Sequence, residues 1–172
     1  SYLHFKIVCM EWNGVMPAIT TKFTIDDKLD LELFNKNLEF QLKSGVQAIV
    51  LAGSLGEAST LSRDEKNILT KNTVEFVDDK IPVVVNIAEQ STKEALESVK
   101  CAEKYGASGL MVLPPMRYKS GRNETISYFE SIAKSTNLPI MIYNNPVDYG
   151  IEVTIDMFEE LLKCKNIKAV KE

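Results

Sequence analysis

Short apolar runs alternate along this chain with longer stretches whose apolar residues recur at helical spacing. The runs cover residues 15–19, 48–52, 83–87, 109–113, 140–143 and 167–171, and they are rich in Val and Ile. Consecutive apolar positions, rather than alternating ones, are how parallel strands covered on both faces read. Residues 29–43 carry Leu31, Phe34, Leu38 and Leu42 three or four apart, the stripe of a helix that Gly45 ends. Ser62 with Glu65, and Ser91 with Glu94, have capping-box spacing and open two more helices. The first carries Ile68, Leu69 and Phe76, and the second Ala95, Val99 and Ala102 to a stop near Gly106. A further helix is predicted over residues 123–134. The last, capped by Thr154 or Asp156, turns Phe158, Leu161 and Leu162 inward.

Strand and helix thus repeat with a unit of roughly 30 residues, the size of a βαβ unit. Two α/β architectures fit. One is a parallel (β/α)8 barrel of the TIM type, incomplete as given with about six βα units, since such a barrel takes about 250 residues. The alternative is an open, doubly wound parallel sheet. In both, chemistry collects at the C-terminal ends of the strands.

Composition narrows the function classes. The formal charge of −4 gives no basic footprint for nucleic acid or an anionic membrane surface, and no run approaches a membrane span. Cys9, Cys101 and Cys164 are odd in number and irregularly spaced, which suits buried thiols in a reducing cytoplasm. His4 is the only histidine, so a histidine metal site or a Ser-His triad is disfavoured. No carboxylate cluster suggests a metal. No Gly-x-Gly-x-x-Gly follows the first strand and no Gly-Lys-Ser/Thr follows the second, so neither a dinucleotide nor a phosphate-cradling loop is expected. Residues 1–9 read as an extension outside the fold, with Met10 as a natural start of translation.

The candidate chemistry lies at the strand ends. Gly53-Ser54-Leu55-Gly56-Glu57 follows the second strand. Two glycines around a serine let amides and a hydroxyl converge on a small anion such as a carboxylate, although the loop also reads as an ordinary strand-to-helix turn. Tyr143 closes the fifth strand with a hydroxyl that could relay a proton, or that simply stays wet at the rim. Pro114-Pro115 and Asn145-Pro146 read first as loop punctuation. Lys171 ends the sixth strand. An ordinary lysine is protonated at neutral pH, but one set among apolar neighbours can be disfavoured in its charged form and react with carbonyls.

In order and position these motifs resemble the dihydrodipicolinate synthase / N-acetylneuraminate lyase family of Schiff-base-forming lyases. The resemblance runs from about Gly14 to the end of the chain. It rests on Gly14-Val15-Met16-Pro17-Ala18-Ile19-Thr20-Thr21, the loop from Gly53 to Glu57 with Thr60-Leu61-Ser62 and Glu65, Pro114-Pro115, Tyr143-Asn144-Asn145-Pro146, and the run from Ile167 to Glu172. It implies the barrel, with residues 10–172 as the N-terminal part of a single lyase domain. It also implies no metal or organic cofactor and a homo-oligomer, dimer or tetramer. Lys171 matches the lysine that forms an imine with pyruvate or a related 2-oxo acid. Ser54 matches the hydroxyl residue that meets the substrate carboxylate or joins the proton relay, assisted by the amides of Ser54 and Leu55 beside Gly53. Tyr143 matches the tyrosine that passes protons to and from the imine.

The departures are specific. Leu55 stands where a second hydroxyl residue is common. Arg117 falls where a second tyrosine, reaching into the neighbouring subunit's site, is expected, with Tyr118 one residue away. Asp148 falls where the synthases place an arginine for the second substrate's carboxylate, and a hydroxylated sugar acid fits an acidic position better. The expected function is therefore a lysine-imine lyase or aldolase acting on a 2-oxo acid. The competing expectations are an inactive truncated barrel serving oligomerisation or binding, with Lys171 on show as a relic, and an open-sheet domain binding a small anion at Ser54.

Overall fold

Asp30 starts the first helix because its carboxylate accepts a hydrogen bond from the Leu33 amide, satisfying one of the N–H groups a helix start leaves open. That helix, α1 (Leu31–Lys43), buries Phe34 and Leu38 and ends at Ser44, with Gly45 in the left-handed region just after it. Next come β1 (Ile49–Leu51), α2 (Arg63–Val77), β2 (Val83–Ile87), α3 (Thr92–Lys104), β3 (Gly109–Val112) and α4 (Arg122–Ser135). The chain continues with β4 (Ile140–Tyr143), α5 (Pro146–Tyr149), α6 (Ile155–Leu161) and β5 (Ile167–Lys171). This is a computed structural model, and it describes residues 9–115 and 118–172.

Ser62 and Glu65 form the full reciprocal capping box at α2. At α3 the Ser91 side chain accepts from the Glu94 amide, and the Glu94 carboxylate meets the Ser91 hydroxyl rather than its backbone N–H. Thr154, not Asp156, is the N-cap of α6. One apolar position expected to turn inward faces out: Leu162 lies one residue past the end of α6 and is exposed.

All five strands are parallel and stand in the order β1-β2-β3-β4-β5. Among the described residues the helices pack on one face only. Ile49, Leu51 and Val83 face α1 and α2. Val85, Ile87, Leu110, Val112, Ile140 and Ile142 face residues of α3, α4 and α6. The opposite face is a third cluster with no helix in it: Ala48, Val50, Val84 and Met111, with Met10, Trp12, Met16, Ala18, Met141 and Tyr143. Sequential strand order with helices on a single face is the wall of a barrel. A doubly wound sheet reverses its strand order and carries helices on both faces, so that alternative is set aside.

The first expected strand, residues 15–19, reduces to one parallel bridge between Ala18 and Val50. The Val50 amide donates to Pro17 O and the Ile19 amide to Val50 O, each at 3.0 Å. Pro17 has no N–H with which to extend the ladder. Met10 is buried in the inner cluster, and Trp12 packs beside it under Gly109, where a Cβ would come within 3.4 Å of both. Residues 1–8 of the expected extension lie outside the described residues. Cys9 is exposed and Cys101 and Cys164 are only partly buried, so the cysteines are not the fully buried thiols expected; all three are free. Burial pushes the Cys164 thiol up. Among the described residues no helix is long and apolar enough to cross a membrane.

Candidate active site

The loop after β1 leaves the barrel wall through Ala52, which takes a positive φ of 51°. A non-glycine residue is costly there and persists only when its surroundings hold it. Asn86, buried on β2, does the holding: its Nδ2 donates to Ala52 O at 2.8 Å. Gly53 then enters a 3₁₀ turn (Ser54–Gly56) extended, and Glu57 closes the turn in the left-handed region. Ser54 and Leu55 are its first residues, the positions whose N–H groups have no partner inside a helical turn. Ser54 is exposed at the rim and Leu55 more so. Thr21 Oγ1 donates to Gly56 O at 2.6 Å and ties the turn to the first extended segment. Asn86 also leaves its own Oδ1 buried without a partner. Asn86→Ala is expected to cost about 1–3 kcal/mol, because it strips the Ala52 carbonyl of its donor. A thermal melt reads this directly, and an unchanged melting temperature would refute the account of Ala52.

At the end of β4, Asn145 and Pro146 do more than interrupt the chain. Asn145 is the N-cap of α5 through Asp148 N, Pro146 takes the first turn where its missing N–H is not needed, and Gly150 stops the helix at φ 68°. Asn145-Pro146, expected as loop punctuation, instead opens a single helical turn, and its Asn-Pro start and glycine stop are helix signals. It carries Tyr149 back over the site. Tyr149 OH lies 2.7 Å from Ser54 Oγ, and its ring meets that of Tyr143 edge-to-face, with centroids 5.7 Å apart. Asn145 Nδ2 donates to Tyr143 OH at 3.1 Å and to Asp148 Oδ2 at 2.6 Å. Asp148 is exposed. Asn144, buried, exchanges two hydrogen bonds with the Val153 backbone, and its own amide donates to Lys171 O at 2.8 Å.

Lys171 pairs with Tyr143 in the β4–β5 register, and its Nζ sits 3.9 Å from the centre of the Tyr143 ring. A register shift makes that pairing. Ile140 faces Ile167, but Met141 faces Ala169, so Lys168 is the extra residue. A bulge of one residue exchanges the faces of everything beyond it. Ile167 therefore packs outward with the helices, while Ala169 and Lys171 line an inner cleft of about 410 Å³ with Met111 and Met141. The burial expected of Lys171 is not found. β5 is the edge of the sheet, nothing among the described residues covers its outer side, and Lys171 is exposed.

The structure thus joins the three expected residues in a row, Ser54 to Tyr149 to Tyr143 to Lys171, with Tyr149 as the link that sequence reading missed. Ser54 and Tyr149 border a second cleft, of about 420 Å³, which shares no lining residue with the one bordered by Lys171. That second cleft holds a largely buried ion pair, Lys66 Nζ to Glu89 Oε1 at 3.2 Å, to which Ser98 donates at 2.8 Å. Burial, and then the charge of Glu89, push the Tyr128 phenol up. Arg117 lies outside the described residues. Tyr118 is exposed on the loop after β3. No group of three or more His, Cys, Asp or Glu among the described residues could hold a metal.

Comparison with known proteins is consistent with this geometry. The model of the dihydrodipicolinate synthetase family matches residues 11–172. A 4-hydroxy-tetrahydrodipicolinate synthase of Methanococcoides burtonii is 37% identical over 161 residues, which are 94% of this chain and 55% of that protein. A DapA-like lyase of Rhizobium meliloti is 35% identical over 162 residues, 94% of this chain and 54% of its own length. Among solved structures, YagE, a prophage protein of the dihydrodipicolinic acid synthase family from E. coli in complex with pyruvate, superposes with a TM-score of 0.90 at 30% identity. That match covers 94% of this chain and 54% of YagE. The chain spans about half the length of the curated relatives it matches. With the family model covering nearly all of the chain and a strand order and helix placement that make a barrel wall, this chain belongs to the dihydrodipicolinate synthetase family.

Proposed function

We propose that this chain carries the imine-forming centre of a lysine-dependent lyase or aldolase that acts on pyruvate or a related 2-oxo acid. The observation that carries the reading is Lys171 Nζ over the Tyr143 ring at the paired C-terminal ends of β4 and β5. The Lys171 amine attacks C2 of the keto acid. The former carbonyl oxygen leaves as water, and the nitrogen is left as a protonated imine. That imine accepts the electron pair when a C–H or C–C bond at the adjacent carbon breaks, giving an enamine. Tyr143 stands against the amine and passes protons to and from the imine. The free amides of the Ser54 turn receive the substrate carboxylate, and the Ser54 hydroxyl meets that carboxylate or joins the proton relay. The pyruvate bound to YagE supports the substrate class.

The finer parts of the reading follow from the same residues. Asp148 disfavours a second substrate that presents a carboxylate at that position and suits the hydroxyls of a sugar acid. The protein works in the cytoplasm as a homo-oligomer, without a metal or organic cofactor. One observation favours the competing reading of a non-catalytic barrel segment that serves oligomerisation or binding: Lys171 and the outer side of β5 are exposed. Incubation of the 172-residue chain with pyruvate, reduction with borohydride and peptide mass analysis separates the two. A reduced pyruvyl adduct on Lys171 is expected. A folded sample without it, or with label spread over surface lysines, would favour the binding reading.

A further inference from the structure

We propose that Tyr149 is a positioning residue of this centre, the phenol through which Ser54 gives and takes its proton. This rests on the imine reading above and adds to it a residue that the resemblance did not supply. Three observations meet at Tyr149. Its hydroxyl is 2.7 Å from Ser54 Oγ, with either atom able to donate. Its ring stands edge-on to that of Tyr143, at 5.7 Å between centroids, and Tyr143 in turn lies under Lys171 Nζ. Its place is fixed by a one-turn helix with its own cap, proline start and glycine stop, so the phenol is delivered from within the same chain.

A serine hydroxyl has one proton. When it gives that proton to an oxygen leaving the carbinolamine, it must recover one from a neighbour, and Tyr149 is the hydroxyl in reach. The transfer balances: the O–H bond of Ser54 breaks as the leaving oxygen is protonated, the O–H bond of Tyr149 breaks as Ser54 is restored, and Tyr149 is reprotonated from solvent at the partly exposed rim. The reverse sequence accepts the proton released when the imine becomes an enamine. The relay from Ser54 to Tyr149 is thereby completed within one chain.

The test separates imine formation from proton transfer. The 172-residue chain is incubated with pyruvate in heavy water. Borohydride trapping on Lys171 reads the imine, and deuterium entering the pyruvate methyl group reads the enamine. Tyr149→Phe keeps the ring contact with Tyr143 and removes only the hydroxyl. It is expected to leave the adduct trapped at equilibrium little changed while exchange falls roughly ten- to a hundred-fold, at or below the lower end of what a placed proton-transfer group contributes. Ser54→Ala combined with Tyr149→Phe is expected to be no slower than Ser54→Ala alone, since the two hydroxyls act in series. Exchange unchanged in Tyr149→Phe, or trapping and exchange lost together as a purely structural role would give, overturns the proposal while the imine reading stands. A folded wild-type chain that gives neither adduct nor exchange overturns both.

Discussion

Lys171→Met is expected to abolish the reduced pyruvyl adduct and every reaction that passes through it. Methionine has the length of the lysine stem but no amine, and no imine forms without one. Lys171→Arg is expected to fail equally, since the guanidinium remains charged and is no nucleophile toward a ketone. The fold is not expected to follow. The backbone bond from the Asn144 amide to Lys171 O is untouched, and the lysine head is exposed. What is lost is the contact of Nζ with the Tyr143 ring, worth about 0.5–1 kcal/mol at an exposed site. The melting temperature should therefore drop by only a few degrees while labelling at this position disappears. Labelling that persists at wild-type levels on other lysines would remove Lys171 from its proposed role.

Tyr143→Phe is expected to lower the rate of enamine formation by about 10²–10⁴-fold, the usual contribution of a positioned acid–base group. The ring is retained, so its face still lies under Lys171 and its edge still meets Tyr149. Only the hydroxyl goes, and with it the acceptor of the Asn145 amide. Asn145 keeps its bond to Asp148 and remains the cap of α5, so the Ser54–Tyr149 contact should survive. Single-turnover trapping against deuterium exchange distinguishes a slow imine from a slow enamine. A variant with wild-type exchange would mean that Tyr143 is a platform for the lysine and carries no proton.

Lys171 lies on the edge strand of the sheet. β5 has an inner face built for a barrel interior, with Ala169 beside Met141, and an outer edge that nothing among the described residues covers. An exposed parallel edge invites pairing with another strand. Closure of that edge would exclude water from Lys171 and Tyr143, and lower dielectric strengthens each electrostatic contact made there. The exposure of Lys171 is thus a property of its place on the edge rather than of its immediate neighbours.

Local signals were enough for most of the elements. The apolar runs at 48–52, 83–87, 109–113, 140–143 and 167–171 became the five strands, and Ser62 with Glu65 fixed the start of α2, because strand burial and helix capping depend on residues close in sequence. The loop at Ser54, Tyr143 and Lys171 could be placed at strand ends for the same reason. Asn145, Pro146 and Gly150 carried the signals of α5 as well, and with them the position of Tyr149.

What local pattern does not contain is which face a residue takes once two strands have paired. Strict alternation from Ile167 would have put Ala169 outward beside the helices and Lys171 with it. The shift at Lys168 reverses both, and only the pairing with β4 reveals it. The reduction of residues 15–19 to a single bridge, the hold of Asn86 on Ala52 and the meeting of Tyr149 with Ser54 are likewise long-range contacts, 32, 34 and 95 residues apart respectively. The sequence alone determined the βα rhythm and the residues offered at the strand ends, since both follow from periodicity and capping. The tertiary structure alone decided that Lys171 faces Tyr143 and that Tyr149 joins Ser54 to them, because register and contacts between distant segments are set by packing, which no window of sequence contains.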